Sequence, residues 1–197
     1  NVSWVWGGYD ALDEGPGSHW DRVLLTLSPG GSDANVVREF DVEKNEFVLP
    51  EAGGFYVPEA KSSVAYRTRD EVLVGTDFGE GSLTSSGYPR LSKAWRRGTP
   101  LAEATTVFEG EHNDVSASQY FYHDRGHWHE FQHRSLDFYH TAKWYRRGDP
   151  SRSAAEPEAP PFHKLPVPDD ASVGTFADAA LVTLRSAWEV AGQSYAA

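Results

Sequence analysis

Histidine is the chemistry-bearing residue most concentrated in this sequence. His123, His127, His129 and His133 fall close together, with His140 just beyond. His127, His129 and His133 share parity, so on one strand they point to one face. Three imidazoles on one face could hold zinc, but the spacing matches no standard zinc site. It also begins at a turn signal, Asp124-Arg125-Gly126. The expectation is therefore a strand face, solvated or packed with aromatic rings, and no metal or cofactor site is assigned. The pairs Arg96-Arg97 and Arg146-Arg147 could bind an anion. Each precedes a Gly turn, which favours a structural role, with strand-end charges in solvent. Asp10, Asp13, Glu14 and Asp21 offer oxygen ligands without the spacing of a calcium loop and read as a solvated connection. Gly79-Glu80-Gly81 lacks the third glycine of a dinucleotide site and reads as a turn. Asn1-Val2-Ser3 is a glycosylation sequon inside a strand-like stretch.

Nucleophilic catalysis finds no support. The chain has no Cys. Ser18, Ser32 and Ser82 each follow a glycine, yet none has the further glycine that a Gly-x-Ser-x-Gly elbow requires. No catalytic residue is expected in this chain.

The elements that must position these side chains are strands. The 197 residues include 7 Trp, 9 Tyr, 10 Phe, 18 Gly and 12 Pro. Short aromatic and β-branched runs alternate with Gly, Pro, Asn and Asp, the pattern of strands and turns. Asp178 to Ser186 could be read helically, but Val182 and Thr183 argue for a strand. Segment 149–161, rich in Pro and Ala, is expected as an extended surface loop. The net charge of −11 argues against nucleic acid and against an anionic membrane. No apolar run approaches the roughly 20 residues of a spanning helix. No targeting segment is visible, and cytoplasm and periplasm both stay open.

The sequence repeats. Leu91 to Pro100 resembles Thr141 to Pro150, sharing Lys, Arg-Arg-Gly and Pro at an offset of 50. Val23-Leu24-Leu25 matches Val72-Leu73-Val74 at an offset of 49. A period of about 40–50 residues holding four short strands is the signature of a β-propeller. The expected fold is all-β: a partial propeller of four-stranded antiparallel blades, three to four in number. Residues 60–111 and 113–167 each form a blade, and 1–50 and 172–197 form incomplete ones. Open blade edges invite self-association. The chain has no Met and begins at Asn1 within a strand-like run, which points to a piece of a larger protein.

Three stretches carry a resemblance. Leu27-Ser28-Pro29-Gly30-Gly31-Ser32-Asp33 is similar to a turn in the propeller of prolyl oligopeptidases. Val74-Gly75-Thr76-Asp77-Phe78-Gly79, continuing through Gly81-Ser82-Leu83-Thr84 to Gly87-Tyr88-Pro89-Arg90, resembles the bacterial branch of that family. Trp95 to Leu101 and Leu184 to Trp188 extend the resemblance along nearly the whole chain. It implies a serine peptidase that cleaves short peptides after proline, with a seven-bladed propeller capping an α/β-hydrolase domain that holds the Ser-His-Asp triad. This chain would then be the middle of the propeller. Its partners would be the hydrolase domain, the remaining blades and short proline-containing peptides. The resemblance also implies that Asp33 lies at the domain interface and pairs with an active-site arginine outside this chain. Turn chemistry alone makes Asp33 an aspartate that hydrogen-bonds its own backbone. The rival reading of the whole is a propeller that only binds.

Overall fold

The computed structural model describes residues 3–197, so the Asn1-Val2-Ser3 sequon reaches outside the described residues. The chain is built from antiparallel strands, with two single-turn 3₁₀ helices, Pro50–Ala52 and Leu101–Glu103. The first sheet orders β1 (Trp4–Ala11), β2 (Arg22–Pro29), β3 (Asn35–Asp41) and β4 (Glu46–Phe47). A further strand, β5 (Tyr56–Ala60), pairs with the same edge of β3 as β4 does. The outer strand of this sheet is thus broken in two, and the sheet runs on to Ala60 rather than stopping at residue 50. Pro50 and Gly53-Gly54 read in sequence as the end of a unit. In space they form a loop that returns the chain to the edge it left. A Cβ at Gly54 would stand 2.0 Å from the Val48 carbonyl oxygen, so only glycine fits.

The second sheet orders β6 (Ser63–Thr68), β7 (Glu71–Gly75), β8 (Leu91–Arg96) and β9 (Thr105–Glu109). The third orders β10 (Ser116–Asp124), β11 (His127–Ser135), β12 (Thr141–Arg147) and β13 (His163–Lys164). Two hairpins follow. One joins β14 (Ser172–Phe176) to β15 (Ala179–Thr183), the other β16 (Trp188–Val190) to β17 (Gln193–Tyr195). The stretch with the helical alternative is therefore strand, as its β-branched residues suggested. The architecture is a partial propeller of four-stranded antiparallel blades.

The core follows from alternation along β7, every residue of which is buried. Val72 and Val74 face the first sheet and pack with Leu24, Val37, Phe55 and Trp95. Leu73, pointing the other way, packs with Ala94, Phe121 and Ala154 toward the third sheet. Each such valine or leucine contributes about 1.5–3 kcal/mol of burial free energy.

Segment 149–161 is not a free surface loop. Ala154 is buried in the core between the second and third sheets. Its amide donates to Glu71 Oε1 at 2.8 Å, and the Ser153 hydroxyl donates to Glu71 Oε2. Arg67 grips the same segment through the carbonyls of Asp149, at 3.0 Å, and Arg152. Composition predicts solvation here, but the backbone polar groups of the segment find buried partners instead.

Candidate functional site

Asp33 sits in the turn between β2 and β3. Gly30 and Gly31 have φ of 71° and 79°, and the Ser28 hydroxyl donates to the Ser32 carbonyl at 2.7 Å, which fixes the turn. The Asp33 side chain is exposed. Its Oδ2 accepts from the Tyr88 hydroxyl at 3.0 Å and lies 3.6 Å from Lys61 Nζ. Lys61 also stacks over the Tyr88 ring at 4.2 Å and donates to the Ser86 carbonyl at 3.3 Å. The hydrogen bond to the Asp33 carboxylate, together with burial and its charge, pushes the Tyr88 phenol upward. Among the described residues Asp33 makes no hydrogen bond to its own turn and Oδ1 has no partner. One oxygen is therefore held by Tyr88 of the β7–β8 connection and by Lys61, and the other has a lone pair free for a cation such as a guanidinium. Tyr88 and Lys61 were not singled out from the sequence as partners of Asp33. Tyr88 is 55 residues away, and its place inside the 74–101 stretch was the one available signal.

His127, His129 and His133 do share a strand face, and that face is aromatic. Tyr120, Tyr122, Phe131 and Tyr145 stack among them. His129 is buried, with Nδ1 3.1 Å from the Tyr145 hydroxyl and Nε2 2.9 Å from the Ala177 carbonyl. Burial pushes its pKa down. His133 meets the Tyr120 hydroxyl at 2.9 Å, and burial, helped by the Lys143 charge, lowers it to about 4. His123 accepts from the Gly126 amide, and His140 pairs with Asp137. Among the described residues no three acidic or histidine side chains are arranged to hold a metal ion.

The basic pairs take a structural role by a different route from the one expected. Arg97 makes a two-pronged contact with Glu39 at 2.7 and 2.8 Å and lies over the Phe55 ring. Tyr66 and the Phe55 amide complete the Glu39 carboxylate. Arg146 bonds Glu130 at 2.7 Å, and Arg67 reaches Glu130 from the second sheet at 3.4 Å. These charges are enclosed between sheets, not left in solvent, because each finds a carboxylate that burial would otherwise penalise. Only Arg96 and Arg147, the other members of the pairs, are exposed. The acidic stretch 10–21 is not simply solvated: Arg69 bonds Glu14 at 2.7 Å and Asp21 at 2.8 Å, and the Asp10 carboxylate accepts from the Tyr66 amide at 2.7 Å.

A groove of about 440 Å³ lies between the first and second sheets, lined by Phe55, Tyr56, Pro58, Trp95 and Pro100. Its walls carry no acid, base or histidine.

No protein-family model matches the chain. It is 35% identical over 190 residues to the "Uncharacterized peptidase y4nA" of Sinorhizobium fredii, a match covering 94% of this chain and 24% of that protein. It is 27% identical over 177 residues to the "Uncharacterized peptidase RP174" of Rickettsia prowazekii, covering 86% of this chain and 24% of the other. The chain thus spans about a quarter of the length of the curated relatives it matches. Among solved structures, a post-proline cleaving enzyme from Rickettsia typhi superposes with a TM-score of 0.78 at 23% identity, over 95% of this chain and 27% of that one. A structure from a study of two prolyl endopeptidases superposes with a TM-score of 0.62 at 13% identity, over 91% and 24%. At these identities the structures speak for the fold.

Proposed function

We propose that this chain, a portion of a prolyl-oligopeptidase-family propeller, serves a serine endopeptidase that hydrolyses the bond after proline in short peptides. The chain itself is non-catalytic. Its role is to admit short peptides, exclude folded protein and water, and complete the substrate pocket. In the complete polypeptide a serine attacks the carbonyl of the Pro-x bond, a histidine serves as base and then acid, and backbone donors hold the oxyanion. All of those groups belong to the domain outside this chain.

The observation that carries this reading is the 35% identity, along 94% of the chain, to a protein named a peptidase, on a fold shared with a post-proline cleaving enzyme. The kinship with proteins named peptidases supports it. Asp33 then meets the hydrolase domain, its Oδ2 held by Tyr88 and its Oδ1 directed to an arginine there. A charge-assisted bond of this kind is worth about 1.5–3 kcal/mol, or roughly 10- to 150-fold in rate.

The test uses the complete polypeptide and a fluorogenic peptide with one internal Pro-x bond. Cleavage after proline is expected, with kcat/KM lowered about 10-fold or more by Asp33→Asn. An intact polypeptide that ignores proline, or that cleaves nothing, overturns the reading.

A further inference from the structure

Lys143 presents a buried charge with no ion-pair partner in contact among the described residues. It lies on β12, facing the hairpin of β14 and β15, and is 5% exposed. Its ammonium donates to the Thr141 carbonyl at 2.7 Å and to the Asp169 carbonyl at 3.2 Å. An ammonium has three protons, so one is left over. Among the described residues no carboxylate lies within ion-pair distance of it, in contrast to Arg67, Arg97 and Arg146. Burial pushes the Lys143 pKa down, as expected of a cation short of a counter-ion.

Lys143 lines a cleft of about 320 Å³ between the β11–β12 turn and the start of β14. Arg185, exposed and without an ion pair among the described residues, lines it too. On the rim, Phe138 and Tyr139 stand 90% and 71% exposed. They do so on a rigid turn, because Asp137 Oδ1 accepts the amides of Tyr139 at 2.7 Å and His140 at 2.8 Å. Two adjacent aromatic rings held in water on a fixed turn are the anchor chemistry of a binding surface. Asp169 and Asp170 complete the lining. Their carboxylates disfavour an anion carrying two charges and offer acceptors to amide N–H groups. Hydrogen bonds link this end of the sheets to the Asp33 turn: Tyr88 to Asp33, Ser85 to His112, and Val115 to Ser135.

We propose that this cleft is a subsite for the C-terminal carboxylate of a short peptide, with the Lys143 ammonium as its counter-ion. Arg185 steers the carboxylate in, and Phe138 and Tyr139 cover the side chain of the last residue. The choice of a peptide as ligand rests on the peptidase reading; the choice of a single negative charge does not.

Calorimetric titration of the complete polypeptide with a proline-free tetrapeptide tests this without calling on peptidase activity. The free acid is expected to bind about tenfold more tightly than the same peptide ending in an amide. Lys143→Met should erase that preference, and Lys143→Arg should restore part of it. Arg185→Ala, a change at an exposed residue, should reduce it roughly two- to fivefold even if Lys143→Met fails to fold. Phe138→Ala should weaken acid and amide alike. Equal affinity for acid and amide overturns the proposal. So does an acid preference that survives in Arg185→Ala and Lys143→Met together. Displacement of the peptide by inorganic phosphate at a lower concentration than by acetate overturns it as well, since it marks a general anion site. A peptidase assay that fails while the acid preference holds would remove the proposed function and leave the subsite standing.

Discussion

The junction between the second and third sheets and the junction between the third sheet and the hairpin beyond it use opposite chemistry. The first encloses charge. Glu130, fully buried, accepts from Arg67, Arg146 and Gln119, while Glu71 holds the 149–161 segment. The second packs rings, and the charge it encloses, the Lys143 ammonium, meets backbone carbonyls and not a carboxylate. His129 meets the Ala177 carbonyl, and Asp124 accepts from the Thr175 hydroxyl and the Ala177 amide. A junction of buried ion pairs tolerates mild acid and does not tolerate the loss of a partner. A junction beside buried imidazoles responds in the reverse way.

Glu130→Leu is the largest expected break. It leaves the buried Arg146 guanidinium without a carboxylate and Arg67 with Glu71 alone, 3.7 Å away, at a cost of about 3–5 kcal/mol. The urea midpoint reports this. A loss below about 1 kcal/mol would mean that the carbonyls around both arginines suffice, and the contrast would collapse.

Acid should separate the two kinds of junction. His133, on the hairpin-facing side of the third sheet, titrates near 4 when folded against an ordinary 6.5. The unfolded chain takes up that proton first, so its contribution is whole above about 6.5 and is lost as pH falls toward 4. Glu39 also lies below its ordinary value, but that ordinary value is itself lower. Burial raises its carboxyl, but hydrogen bonds from Arg97 and the Phe55 amide, the Arg97 charge and Tyr66 lower it further, leaving it below 4.5. Its contribution is whole above about 4.5 and is lost only as pH falls through the folded value. At about pH 5, lower protection of the amide against exchange, relative to its intrinsic rate, is therefore expected at Ala177, with protection at Phe55 unchanged. His133→Phe should flatten the response. Equal loss of protection at both amides would contradict the comparison.

Thr175→Val sharpens the same contrast with the smallest effect. Its hydroxyl donates to Asp124 Oδ2 at 3.0 Å and accepts from Tyr122 at 3.1 Å. Removing it should cost about 1 kcal/mol in thermal or urea unfolding and should leave the Glu130 junction untouched.

Most strands were legible in the sequence, because β-branched alternation and turn residues are local signals. Parity correctly put His127, His129 and His133 on one face. The partners of the basic pairs were not legible. An offset of 50 aligns Arg96 with Arg146 and Arg97 with Arg147, yet the enclosed arginines are Arg97 and Arg146. Arg97 finds an acid 58 residues away in the preceding sheet, and Arg146 finds one 16 residues away in its own. The same motif meets different neighbours, and no local pattern encodes which. Asp33 stood out only through family resemblance, since a turn aspartate carries no signal of what faces it. Composition misled at 149–161, because Glu71 and Arg67 hold that segment by its backbone, which composition does not describe.

That grip has a kinetic consequence. Arg67 and Glu71 flank the turn from β6 to β7, while the segment they hold leaves from the end of β12, more than 80 residues later. The clasp closes only after two separate sheets have come together. Contacts absent from a folding transition state slow unfolding and leave the folding rate nearly unchanged. The segment thus acts as a brake on the opening of the two sheets, lengthening the lifetime of the folded chain more than it speeds the chain's formation.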